Sequence, residues 1–487
     1  MKESDKARFD ELLKWAQLRG AELHPSLEIY HDERTKFSIR VKDSCNHGLQ
    51  SGFRAVSCPV STTLSFLNAL ADGPIEISSS YSHTGAFPHT FMQKVPPYVV
   101  GRFFLIHEYL KRKDSFWWPY IATLPQPEQI NAWALPAFWP EDDIAHLEGT
   151  NAHFAIEEVQ ANVKQEFKQA RKILKGAEFP NWQDYAQLLY KWAFCIYTSR
   201  SFRPSLVLSD AAKQHVSALL PAGCHLDDFS ILQPVFDIPN HSMTAAYSWD
   251  TASDPTSCQL ICRDAYQPGN QVYNNYGLKT NSELLLGYGF ILPEDLPFIH
   301  NDYVHVRKRN QGEAAAPESD AQNANPKPKD FLISLEPISR HASLVGSSRV
   351  VRQGPKGRLA SLPCFAHFEP ALVEDLAMTM ATREQRAALD RWNAQSGAEP
   401  SGNASVQQQP PQELMALVEG IKATLGAKLW ADYQRLKEVD GGGSDGGDLP
   451  LPGNGNQKLA GEYRWRCERV YEAALESLME EDMAGRG

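Results

Sequence analysis

Two short segments carry the residue types best suited to chemistry. The first, Asp237-Ile238-Pro239-Asn240-His241-Ser242, puts a carboxylate, a carboxamide and an imidazole into one loop. The second, Asn281-Ser282-Glu283-Leu284-Leu285-Leu286-Gly287-Tyr288-Gly289-Phe290, places a tyrosine between two glycines. A tyrosine ring forms an apolar wall, and its hydroxyl orients an amine or lowers the amine's proton affinity. Each segment also has a structural reading. Asn and Ser cap turns by hydrogen-bonding their own backbone. A tyrosine flanked by glycines is also a buried aromatic in a tight bend.

Taken in this order and at this distance, the two segments resemble the SET domain of S-adenosylmethionine-dependent methyltransferases. The resemblance is to the branch that includes the Rubisco large-subunit lysine methyltransferase, the fungal ribosomal-protein lysine methyltransferases and the actin-histidine methyltransferase. It implies an α+β chain, in which a SET β-fold split by a helical insert is followed by an all-α C-terminal domain. It also implies S-adenosyl-L-methionine as cofactor and transfer of a methyl group to a lysine of a non-histone protein. Such a transfer is an in-line displacement, so the site must align the two reactants. A lysine amine, which ordinarily titrates at ~10.4, must also be held neutral.

The resemblance gives Tyr288 the role of positioning and deprotonating the amine, or at least of shaping its channel. Asn240, His241 and the preceding Asp237 would hold the cofactor, and Arg200 in Ser199-Arg200-Ser201-Phe202 would face its carboxylate. The turn His47-Gly48-Leu49 would open the cofactor pocket through the backbone of Gly48 and Leu49. This part departs from the family pattern, which has Glu or Arg before the glycine. The segment Gln50–Ser57 is also short. A complete hairpin here needs about ten more residues. The departure supports a rival reading, a SET pseudo-enzyme that binds a protein partner without transferring methyl groups. A protein-histidine methyltransferase is the other rival. The actin-directed enzymes lose the tyrosine of this segment, so Tyr288 favours lysine. Tyr273 and Tyr276 alternate as in a strand and either line a substrate channel or pack in the core. Tyr276 and Tyr303, in Asn301-Asp302-Tyr303-Val304-His305-Val306, are the candidate substrate contacts.

Composition narrows the class. The 487 residues predict two or three domains, and 42% hydrophobic content supports sizeable cores. Lys and Arg number 48 against 59 Asp and Glu, a net charge of −11. That balance argues against broad nucleic-acid binding and is compatible with a basic protein substrate. Eight scattered cysteines fit free thiols in a reducing compartment. Only Cys364 and Cys467 follow Tyr288, so the zinc-binding cysteine cluster of many histone-type SET domains is missing and no metal is expected. The charged N-terminus lacks a signal-peptide core, and no apolar run approaches the ~20 residues that span a bilayer. The expectation is a cytoplasmic or nuclear protein without membrane or nucleic-acid partners.

Several elements must position these residues. An amphipathic helix is predicted over 5–19, inside an N-terminal segment 1–24. Short strands follow at 27–30 and 37–41 within a SET domain spanning 25–305. Apolar residues at three- to four-residue steps predict helices over 154–175 and 183–198, in a helical insert covering about 62–200. The aromatic run Phe116-Trp117-Trp118-Pro119-Tyr120 lies in this insert and reads as core packing. Strands at 258–263 and 271–276 complete the SET sheet. A linker at 306–330 precedes a helical, substrate-binding-like domain over 331–487. That domain has helices at 370–392, 412–438 and 457–483, with low-complexity loops at 396–411 and 440–456.

Overall fold

The structure is a computed structural model that describes residues 1–75, 85–294, 298–308, 329–354, 357–394, 409–440 and 452–479. The expected linker and both low-complexity loops lie largely outside the described residues. The chain divides into two compact units. One comprises Met1–Phe138 and Glu158–Gly277, the other Trp139–Glu157 and Leu278–Gly487. This differs from the predicted boundary near residue 305. The Tyr288 segment groups with the C-terminal helices because its helix and the strand Tyr303–Lys308 pack together there.

Among its described residues, the first unit holds three small sheets. The Glu22–Leu23, Arg54–Pro59, Ser257–Cys262 and Tyr247–Asp250 strands form one, in that order. Gln271–Val272, Lys36–Val41 and Leu27–Asp32 form the second, and Leu64–Ser65, Ile231–Leu232 and Ser201–Phe202 the third. The predicted strands at 27–30, 37–41 and 258–263 are all present. The strand expected at 271–276 is only Gln271–Val272, because Asn274 turns its carbonyl to Ser242 and its amide N–H to Asn240. The N-terminal helix, Glu3–Gln17, buries Phe9, Leu12, Trp15 and Ala16. These residues recur at three- to four-residue steps, which puts them on one face.

The predicted helical insert is likewise present. Its Pro97–Lys111 helix packs on Gln187–Arg200. Phe103, Phe167 and Tyr190 meet there, with ring centroids 5.3–6.5 Å apart. Aromatic pairs at such spacing add about 0.5–1.5 kcal/mol beyond area burial. This core holds the start of the second helix at Tyr190, and the helix terminates on Arg200.

In the second unit the Gln412–Asp440 and Gly455–Met479 helices pack together as predicted. The single helix expected over 370–392 is two, Pro370–Met380 and Arg383–Ala394. Thr382 starts the second: its hydroxyl accepts from the Gln385 N–H, and the Gln385 side chain accepts from the Thr382 N–H. That reciprocal cap is legible as Thr-x-x-Gln and overrides the continuous apolar period. The strand pair Tyr303–Lys308 and Lys329–Ser334 was not predicted. Among the described residues, no helix is long and apolar enough to cross a membrane.

Candidate cofactor and amine site

Asp237 is the centre of the first unit's polar site. Its loop turns tightly, with the Asp237 N–H donating to the Gln233 carbonyl and the Ile238 N–H to Val235. Val235 is buried at φ +70. A β-branched residue rarely adopts that conformation, so the surrounding packing must hold it in place. The Asp237 side chain is only 2% exposed. Its Oδ2 accepts from the Tyr120 hydroxyl at 2.9 Å and from Arg200 Nη1 at 3.3 Å. Burial pushes the Asp237 carboxyl up, while Arg200 and Tyr120 pull it back down. Burial acts to lower the Arg200 pKa, but Asp237, with Tyr120 and Tyr276, outweighs it and the guanidinium stays charged.

Arg200 itself is 30% exposed along its side chain. Among the described residues only its Nη1 is engaged, by the Asp237 carboxylate and carbonyl. The remaining N–H groups of the fork are suited to a second carboxylate. A buried acid that anchors an arginine whose other donors stay available fits a ligand carrying a free carboxylate.

Asn240 and His241 follow in the same loop with different tasks. The Asn240 side-chain amide donates to the carbonyls of Thr35 and Phe37, at 3.1 and 3.3 Å. It ties the loop to the Leu27–Val41 hairpin. This NH2 group is thereby engaged within the protein, by carbonyls that need donors. His241 is buried, accepts the Tyr276 N–H at Nδ1, and stacks on the Tyr276 ring at 5.1 Å. The Tyr276 hydroxyl donates to the Pro239 carbonyl at 3.0 Å. Tyr276 therefore clamps the loop, and its hydroxyl proton is committed within the protein.

Gly48 and Leu49 are also held at the backbone. The Gly48 N–H donates to Cys45, and Leu49 exchanges both backbone hydrogen bonds with Tyr266. Both backbone N–H groups are engaged within the protein. Gly48 is required on other grounds, because it has φ +63 and a Cβ would lie 2.4 Å from the Tyr266 carbonyl. The short segment after it is a turn held by the Gly52 N–H on Cys262, leading straight into Arg54–Pro59. One strand stands where the family pattern has two.

Tyr288 lies in the second unit at the end of the helix Asn281–Tyr288. The sequence dictates this helix. Thr280 and Glu283 form a capping box at its start, and Gly289 at φ 76 ends it in the left-handed conformation. Lys279 Nζ lies 5.8 Å from the Tyr288 ring centroid. Tyr303 is 1% exposed, stacks on His300 and takes the Gly346 N–H on its hydroxyl. The expected substrate contact from Tyr303 is not retained, since no face of this ring is open.

Thr280, His305 and Asp330 line up like a nucleophile, base and acid, at 2.9 and 3.0 Å. Thr280 is fully buried and its hydroxyl accepts the Glu283 N–H, so this group is a helix cap. The eight cysteines are free. Among the described residues, Asp72, His107 and Glu108 come close enough to share a cation. Lys111 already bridges the two carboxylates, at 3.4 and 2.7 Å. Burial, and then Lys111, lower the His107 pKa.

Sequence reasoning missed Tyr120, which it assigned to core packing. A signal was present: a buried tyrosine hydroxyl needs a partner, and Asp237 was the candidate acid lacking one.

This architecture has the fold of SET-domain structures, with a helical C-terminal region. It matches the structure of Rubisco LSMT bound to AdoMet with a TM-score of 0.57 at 16% identity, covering 97% of this chain and 91% of that one. The LSMT SET domain bound to lysine and AdoHcy matches with a TM-score of 0.56, also at 16% identity, covering 97% and 91%. In sequence, the ribosomal lysine N-methyltransferase set10 of Schizosaccharomyces pombe is 28% identical over 325 residues, which are 64% of this chain and 52% of the relative. The N-lysine methyltransferase SETD6 of Bos taurus is 24% identical, covering 70% of each chain. The actin-histidine N-methyltransferase of Xenopus tropicalis is 23% identical over 38% of this chain and 28% of its own. The chain spans about half the length of the first curated relatives it matches. No protein-family model matches it. The likenesses bear out the expected fold class and the resemblance to the Rubisco and ribosomal-protein lysine methyltransferase branch.

Proposed function

We propose that the chain transfers a methyl group from S-adenosyl-L-methionine to a lysine side chain of a non-histone protein. The observation that carries this reading is Arg200, anchored by buried Asp237 and keeping donors available for a ligand carboxylate. When bound, the cofactor supplies an electrophilic methyl group on a sulfonium. Arg200 and Asp237 hold its amino-acid end, and His241, fixed by Tyr276, shapes the adjoining wall. Tyr288 orients the incoming amine and accepts or relays its proton. The names of the relatives, which are lysine methyltransferases of ribosomal and other proteins, support a protein substrate. The net charge of −11 favours a basic one. A cytoplasmic or nuclear setting fits a ribosomal-protein substrate. Retention of Tyr288 favours lysine over histidine.

Incubation with labelled S-adenosylmethionine and ribosomal proteins tests this reading. The expected result is label in methyllysine, lost in Tyr288→Phe. Label in methylhistidine, or full transfer by Tyr288→Phe, contradicts it. The closed backbone of Gly48 and Leu49 favours a second reading, a binding module without transfer. Absence of cofactor binding by the folded chain would select that reading.

A further inference from the structure

The geometry around Asp237 points to Tyr120 as a positioning residue of the cofactor site, one that keeps Arg200 open toward the ligand. The inference rests on the reading that Arg200 holds the cofactor carboxylate. Tyr120 is 1% exposed and sits in the short helix Trp118–Ile121, which starts with Pro119 in its first turn. Its backbone is fixed on both sides. The Tyr120 N–H donates to Trp117, and the Tyr120 carbonyl accepts from the Thr123 hydroxyl. Trp117 is in turn anchored by its indole N–H on the Thr62 carbonyl at 3.0 Å. The phenol is thus a rigid donor aimed at Asp237.

Asp237 Oδ2 receives both the Tyr120 hydroxyl and Arg200 Nη1. An arginine and a carboxylate left to themselves favour a two-point fork, which uses two guanidinium nitrogens. Here the tyrosine competes for the oxygen and sets the carboxylate's rotation. Arg200 is held at one nitrogen, and its remaining donors stay available. Without the hydroxyl, the carboxylate is free to rotate onto the guanidinium and close the fork. The ligand would then meet fewer donors, although the arginine is still present.

Tyr120→Phe keeps the ring volume and removes one oxygen. We expect the KM for S-adenosylmethionine and the Kd for S-adenosylhomocysteine to rise about tenfold, the scale of one hydrogen bond. Turnover at saturating cofactor should stay within about twofold. A purely structural tyrosine would lower the melting temperature and the amount of active protein without this split. The D237N background supplies the second test, because Tyr120 acts through Asp237. There, Tyr120→Phe should add less than about twofold to the Kd. Unchanged Kd in Tyr120→Phe with tight binding by the wild type would overturn the inference. So would a full tenfold effect that persists in the D237N background. If the wild type itself binds no cofactor, the reading of Arg200 fails first and this inference falls with it.

Discussion

Each unit of this protein contains a buried arginine–aspartate pair, and the two are built differently. In the first unit, Asp237 is 2% exposed while Arg200 is 30% exposed. In the second, Asp302 and Arg466 are both 4% exposed at 3.4 Å, and Asn281 donates to the same Asp302 oxygen at 2.7 Å. Arg466 also reaches Glu462 at 2.7 Å. Both acids accept from an arginine and one neutral donor. Only the first leaves its arginine with outward-facing donors. The closed pair joins the Gly455–Met479 helix to the start of the Tyr288 helix, and it serves structure. The open pair is reached by solvent through the Arg200 side chain. A buried ion pair is therefore not by itself a site; what distinguishes the site is asymmetric burial.

That contrast can be broken or sharpened by substitution. The largest expected effect is in turnover: Tyr288→Phe should lower it at least 100-fold, the scale of a lost proton-handling group, while cofactor Kd stays within about twofold. Next, Asp302→Ala removes the buried acid that pairs with Arg466 and accepts from Asn281. It should cost about 3–5 kcal/mol of stability in denaturant unfolding. Arg200→Ala should cost less, about 1–3 kcal/mol, because solvent reaches its side chain and Tyr120 still donates to the acid. Its main effect should be a loss of cofactor affinity of about 100-fold. If the two substitutions cost equal stability, the open and closed pairs are not distinct.

Smaller effects test the frame. Gly48→Ala meets the Tyr266 carbonyl and should cost about 1–3 kcal/mol. Gly52→Ala, at φ +92 with nothing within 4 Å, should cost about 1 kcal/mol. Thermal or chemical melts of the two variants check that order. Asp237 gives a pH signature. Its folded pKa is raised above 3.8, so the folded chain holds the proton more tightly than the unfolded one. Stability from this group is present below the unfolded value and is lost as pH rises through the raised value. Asp237→Asn should remove that slope from a pH series of unfolding curves.

Much of the first unit was legible. The period-two and period-3.6 patterns marked the hairpin at residues 27–41 and the helices around 154–175 and 183–198, because burial on one face imposes those periods. The Asn-His loop and the Tyr-Gly-Phe segment were legible because their residue types and order are unusual. The partners of those residues were harder to read. Asn240 and Leu49 were matched to ligand contacts, yet backbone groups distant in sequence engage their donors. Sequence separation hides such claims: Asn240 meets Thr35, and Leu49 meets Tyr266. Tyr120 was hidden for the same reason, with Asp237 lying 117 positions away. The strand pair at 303–308 and 329–334 escaped because a low-complexity stretch separates its halves.

The most direct test of the central claim is calorimetric titration of S-adenosylhomocysteine into the wild type, Arg200→Ala and Asp302→Asn. The account predicts micromolar binding by the wild type, a loss of about 100-fold in Arg200→Ala, and binding within about twofold of wild type in folded Asp302→Asn. Unchanged affinity in Arg200→Ala, or no binding by the folded wild type, would contradict it.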